Sequence, residues 1–126
     1  MELETEAIDG RSTISSYASD GVVVGGKTLT ESFILTPFAD PVPWGVDQFS
    51  DLSALLLDKL CGMDCEVLLV GTGLNQVFPS PELSRVLATH GQRAEFMNSR
   101  AACSTFNVVS LSDPRVKAPT RLPIQD

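Results

Sequence analysis

Hydrophobic positions fall into short runs over the first third of the chain and into helical stripes broken by short runs after that. From Ile14 the pattern is β-like, and Val22-Val23-Val24 and Lys27-Thr28-Leu29 flank Gly25-Gly26, a pair suited to the positive φ angles of a hairpin turn. Ser32 to Thr36 predicts another strand, closed by Pro37. Asp40 to Gly45 is rich in turn residues, and Trp44 is expected to plug the edge of the core. A first helix is expected over Asp51–Leu60, capped by Ser50, with Leu52, Leu55, Leu56 and Leu60 at helical spacing and Gly62 ending it.

The segment that fixes the fold is Glu66 to Val70, which leads into Gly71-Thr72-Gly73. Its apolar run from Val67 to Val70 has no polar face, as in a central strand covered on both sides by helices. Its carboxyl end is where open α/β sheets carry ligand crevices. Ser80 and Pro81 open a second helix with Leu83, Val86 and Leu87 inside, and Gly91 ends it. Arg93 to Met97 predicts a strand on which Ala94 and Phe96 share a face. Ser99 can cap a third helix bearing Ala101, Ala102, Thr105, Val108 and Val109 on one side, and Arg115 to Ala118 supplies a last strand. An antiparallel opening, here an N-terminal β-hairpin, followed by strand–helix–strand–helix predicts an α/β fold: a mixed central β-sheet packed with helices. One domain is expected over 13–118, between an N-terminal tail at 1–12 and a C-terminal tail at 119–126.

Composition narrows the partners. A net charge of −7, with nine scattered Lys and Arg, argues against nucleic acid. The start, Met1 to Glu6, is acidic where a secretory or transit signal would be basic, and no apolar run nears the ~20 residues of a membrane span. Three cysteines do not suggest a disulfide framework. Cytoplasmic residence without membrane insertion is therefore expected, as a monomer or weak homodimer.

Candidate chemistry is sparse. Gly71-Thr72-Gly73 after a strand invites a dinucleotide reading, but the third glycine of that fingerprint falls on Gln76, and Val77-Phe78-Pro79 delays the helix. Cys61 and Cys65 have a metal-compatible spacing, yet with His90 they make fewer than four ligands. No metal or cofactor is expected. Cys103 lies near the start of the third helix, where the helix dipole can favour a thiolate. With Asn107 one turn on, it is expected to cluster with Gly71, Thr72 and Gly73 around one shallow concavity lined by Phe78 or Phe106. Two versions stand: an accessible Cys103 with a lowered pKa, or a buried, inert one. The lack of a base or nearby cation favours the second.

Three blocks together resemble a known family: Gly71-Thr72-Gly73 with Phe78-Pro79, then Glu95-Phe96-Met97, then Ala101-Ala102-Cys103-Ser104-Thr105-Phe106-Asn107. Ser32 to Pro37 and Trp44 fit its earlier Ser…Leu-x-Pro…Trp pattern. This is a small α/β domain family of unknown function that includes bacterial and archaeal single-domain proteins, a mitochondrial assembly factor for respiratory complex I and an adipogenesis-associated animal protein. The resemblance spans about residues 14 to 118 and implies a three-layer fold around the mixed sheet. Where the family usually has Arg-Thr-Tyr-Asn after Ala-Ala-Cys, this chain has Ser104-Thr105-Phe106-Asn107, which removes a cation and a phenol and argues against anion binding there. The family's usual ending is represented only by Asp113 to Pro119, which implies a shortened last strand. With no catalytic set in view, the expected role is a non-enzymatic interaction or assembly protein. The alternative is a small-molecule-binding domain using the Gly71–Gly73 loop and the Cys103 helix.

Overall fold

The computed structural model describes residues 13–18, 21–46, 48–62, 66–110 and 116–120. The expected tail at 1–12, Cys65 and Arg115 lie outside them. Strands β1 (Ile14–Ala18), β2 (Gly21–Val24) and β3 (Lys27–Leu29) form an antiparallel three-stranded sheet, so the expected hairpin gains a third strand. Gly25 and Gly26, at φ 56° and 81°, make the turn. A five-stranded mixed sheet follows in the order β5-β4-β8-β6-β7, built from β4 (Phe33–Thr36), β5 (Ala39–Pro43), β6 (Val67–Gly71), β7 (Arg93–Met97) and β8 (Val116–Thr120). Helices α1 (Ala54–Cys61), α2 (Pro81–His90) and α3 (Ser99–Val109) complete the chain.

β6 is parallel to both β7 and β8, and every one of its residues is buried. Its pleat divides the core in two. Val67 and Leu69 face Cys103 and Phe106 of α3, together with Ile14, Val22 and Val24 of the small sheet. Leu68 and Val70 face the other way, to Leu57 and Leu60 of α1, Leu83 of α2 and Trp44. The three layers are thus α1 with α2, the mixed sheet, and α3 with the small sheet. Each fully buried Leu or Val contributes about 1.5–3 kcal/mol, so β6 is the strand on which both half-cores depend. Trp44 closes the α1–α2 side, as its position between turn residues suggested.

Several boundaries differ from the sequence pattern. Phe49–Asp51 is a 3₁₀ turn in which Asp51 accepts from the Gln48 N–H at 3.2 Å, and Leu52 is extended. α1 therefore begins three residues late, with Ser53 rather than Ser50 as its cap, accepting from the Leu56 N–H. Leu55 is left 65% exposed and Leu57 takes the inner position. Ala39–Pro43 is an edge strand rather than a turn; prolines are tolerated at an edge because no ladder continues outward. Asn98, not Ser99, caps α3 by accepting from the Ala101 N–H at 2.8 Å, and the inner stripe is Ser99, Ala102, Cys103, Phe106 and Asn107, with Val108 left 69% exposed. β8 is five residues long and includes Pro119 and Thr120, assigned above to the tail. Its pairing with β6 passes from Leu68↔Lys117 to Gly71↔Thr120, a gap that spans Ala118 and Pro119, the second of which has no N–H to offer. α2 begins at Pro81 behind Ser80 and ends at Gly91, at φ 60°, as its sequence signals require.

Asn107 joins the layers on the α3 side. Its Oδ1 accepts from the Ile14 N–H at 2.9 Å and its Nδ2 donates to the Ile14 carbonyl at 2.8 Å, imitating a neighbouring strand. Asn107→Leu should cost about 2–5 kcal/mol, because two buried backbone groups lose their partners. Urea denaturation measures this; a loss within the error of the wild-type value would show that Ile14 finds other partners.

Candidate functional site

The parallel strands β6 and β7 end together, and the connection from β6 to α2 lies across their carboxyl ends. The Thr72 N–H donates to the Met97 carbonyl at 2.8 Å, extending the parallel ladder one step past β6. Gly73 turns the chain at φ 103°, a conformation that L side chains rarely adopt. Its N–H donates to the Ser99 hydroxyl at 2.8 Å, and its carbonyl accepts from the Ser99 N–H at 2.8 Å. The Thr72 hydroxyl donates to the Asn75 carbonyl at 2.6 Å, lies 3.1 Å from that of Met97, and accepts from the Val77 N–H at 3.2 Å. Gln76 donates through Nε2 to the Phe96 carbonyl at 2.8 Å, fastening the loop to β7.

This bonding answers the dinucleotide reading. A phosphate cradle needs free backbone amides aimed at one point. Here the Gly73 amide is held by Ser99, the Val77 amide by Thr72, and the Leu83 amide of α2 by the Ser80 hydroxyl at 3.2 Å. Gln76, at the place of the third glycine, anchors the loop instead.

The seven expected site residues separate by depth. Gly71, Thr72 and Gly73 are buried at the end of β6, whereas Phe78 is 75% exposed. Cys103 and Phe106 have no exposed surface and belong to the core between β6 and the small sheet, while Asn107 is bonded to β1. Burial pushes the Cys103 thiol up to about 12 from its ordinary 9.0, opposite to the effect of a helix dipole. Cys103 is the fifth residue of α3, beyond the first turn where the dipole acts, so desolvation wins. The Cys61 thiol is pushed up as well, by burial first and then by the Asp58 charge.

Thr72 and Phe78 line two adjoining concavities. One, of about 320 Å³, lies between Phe49, Thr72, Leu74 and Val77. The other, of about 470 Å³, lies between Phe49, Leu52, Val77, Phe78 and Leu83. Phe49 forms their common wall and rests edge-to-face on Phe96 of β7, with ring centres 5.9 Å apart. Neither is lined by Cys103, Phe106 or Asn107. The 3₁₀ wall escapes sequence reasoning because Ser50 and Leu52 read as the cap and first stripe residue of a helix; the Val77-Phe78-Pro79 run was the available signal. A further concavity of about 250 Å³, near Leu29, Phe33 and Val42, lies outside this loop. Among the described residues no three His, Cys, Asp or Glu side chains converge as a metal site, and His90 instead meets Asp58 at 2.6 Å, joining α2 to α1.

Fold and site together define a three-layer α/β domain whose sheet end is tied down by its own hydrogen bonds and bordered by two concavities, a mixed one with Gln48, Ser50 and Asn75 in its wall and a more apolar one beside Phe78. The chain belongs to the family described as "Protein of unknown function (DUF498/DUF598)", which matches residues 14–119. It is 28% identical over 114 residues to NADH dehydrogenase [ubiquinone] 1 alpha subcomplex assembly factor 3 of Xenopus tropicalis, covering 89% of this chain and 61% of that protein. It is 31% identical to the 13 kDa major membrane protein of Francisella tularensis, covering 86% of this chain and 89% of the relative. A crystal structure of a Bordetella parapertussis protein superposes with a TM-score of 0.82 at 30% identity, covering 90% of this chain and 97% of the other. A solution structure of a Bordetella pertussis protein described as a Mth938-like domain gives 0.79 at 27%, covering 100% and 94%. The chain thus spans less than two-thirds of the Xenopus factor. Among the described residues no helix is long and apolar enough to cross a membrane.

Proposed function

We propose that this domain works by binding another protein, as a non-enzymatic interaction or assembly factor. The observation that carries the reading is the character of the sheet's carboxyl end. The Gly73 and Val77 amides are bonded to Ser99 and Thr72, the thiol behind the loop is fully buried, and three large apolar side chains, Leu74, Val77 and above all Phe78, are exposed beside Asn75 and Gln76. Similarity to proteins named as assembly factors of NADH dehydrogenase supports it. A metabolite site on the Gly71–Gly73 loop and the Cys103 helix has less support, since Thr72 alone of that set lines a concavity and its hydroxyl is bonded to Asn75 and Val77, while Cys103, Phe106 and Asn107 line neither. Cytoplasmic residence belongs to the same proposal; the free thiols of Cys61 and Cys103 suit a reducing compartment.

Affinity capture from the native cell, run beside thermal-shift screening of metabolites, tests this reading. The expected result is one reproducible protein, identified by mass spectrometry and rebound in purified form, with no metabolite raising the melting temperature. A saturable metabolite shift without a protein partner would replace it with the small-molecule reading.

A further inference from the structure

The groove beside Phe78 combines three properties that bear on what it would hold. Its apolar side chains are exposed rather than collapsed: Phe78 exceeds every other large apolar side chain among the described residues, and Leu74 and Val77 are each 40% exposed. The loop that carries them is fastened. Thr72 holds Val77, Gln76 holds the Phe96 carbonyl, and Ser80 caps α2 between Pro79 and Pro81. An aromatic presented on a fastened loop loses little freedom on docking, and such anchors dominate the energetics of interfaces. The chain directly beside the lining is acidic, although no charged side chain lines either concavity among the described residues. Asp51 stands between the lining residues Ser50 and Leu52, and Glu82 one residue before the lining residue Leu83; both are exposed, and neither itself lines a concavity. The nearest cations along the chain, Lys59 and Arg85, stand farther from the lining residues in sequence, Arg85 two residues after Leu83 and Lys59 seven after Leu52.

We propose that this groove docks a segment of another protein that pairs an apolar stripe, covering Leu74, Val77 and Phe78, with flanking Lys or Arg that meet Asp51 and Glu82. This rests on the interaction reading above and adds the chemistry of the partner. Charge separates the candidate occupants. A second copy would bring its own Asp51 and Glu82 against these, and an anionic bilayer would meet the same acidic residues within a chain of net charge −7.

The test uses a short synthetic amphipathic peptide with Leu and Phe on one helical stripe and Lys on both flanks, a version with each Lys replaced by Glu, and phosphatidylglycerol vesicles. Each is titrated into the ¹⁵N-labelled full chain. The Lys peptide should move the backbone signals of residues 49–52 and 74–83. Its affinity should fall about tenfold or more in Phe78→Ser and severalfold in Glu82→Lys, a change that leaves the Asp51 bond to the Gln48 amide in the groove wall intact. Phe78→Ser should melt as the wild type does, since the ring is exposed. Absence of binding, equal binding of the Glu peptide, or a footprint elsewhere would overturn the proposal. So would groove signals that answer only to vesicles, or a concentration-dependent dimer abolished by Phe78→Ser. If the groove fails while the purified cellular partner binds wild type and Phe78→Ser alike, the interaction reading survives on another surface; if no partner is found, that reading falls instead.

Discussion

Leu69→Asp is expected to leave no folded protein. Leu69 has no exposed surface, and its strand runs between β8 and β7 with its side chain against Val67, Cys103 and Phe106. The substitution forfeits about 1.5–3 kcal/mol of apolar burial. It also places a carboxylate where the core offers only apolar side chains, which costs several kcal/mol more whether the group stays charged or takes up a proton. A domain of this size has about 5–15 kcal/mol of stability in all. Leu69→Ala, which removes volume without adding charge, should stay folded and lose about 2–5 kcal/mol. Leu55→Asp supplies the contrast, because Leu55 is 65% exposed and its change should fall within about 0.5 kcal/mol. Circular dichroism melts of the three variants check the order. A Leu69→Asp protein melting cooperatively near the wild-type temperature would mean that β6 does not occupy the middle of the core.

The same alternation explains why so much of the fold was legible. An apolar run with no polar face can be satisfied only when both sides are covered, so Val67 to Val70 announce an interior strand without any tertiary information. Ser80-Pro81 and Gly91 bracket α2 because their preferences are local: a hydroxyl for the first free amide, a φ set by a ring, and a left-handed turn at the end. The failures arose where two local solutions compete. Ser50 and Ser53 are both good caps, and the choice fell to Ser53 once Asp51 bonded back to the Gln48 amide and Leu52 turned extended into the core. Asn98 and Ser99 compete in the same way. There the Ser99 hydroxyl is already engaged by the Gly73 amide, a contact 26 residues away that no local pattern records.

That one contact also shaped how much of the candidate site could be read. Ser99, held by that contact, lies on the inward face of α3 together with Cys103, Phe106 and Asn107. These residues look like a site in sequence because they follow a motif. In the fold they are a packing face, and Asn107 spends its whole amide on Ile14. Phe78 was visible from the start as an apolar residue among turn formers, but its exposure depends on how Thr72 and Gln76 hold the loop.

Cys103 gives the clearest chemical consequence. Its thiol ionises near 9.0 when free in solution and at about 12 inside the fold, with burial as the cause. Below about pH 9 both folded and unfolded chains keep the proton, and the thiol adds no pH dependence. Between about pH 9 and pH 12 the unfolded chain has released it and the folded chain has not, so rising pH favours unfolding. Three units correspond to about 4 kcal/mol lost by the top of that window. Urea denaturation of wild type at stepped pH should show this decline, and Cys103→Ala should decline less steeply by the same amount, even though its stability at neutral pH starts lower. Every other group, Cys61 included, is present in both proteins and cancels in the difference. Iodoacetamide gives an independent reading in a protein with Cys61 and Cys65 changed to Ser: Cys103 should resist modification at pH 8 until denaturant is added. Fast labelling of folded protein below pH 7, with parallel stability curves for wild type and Cys103→Ala, would instead make Cys103 an accessible, activated thiol, and the case for a non-enzymatic domain would have to be reopened from that residue.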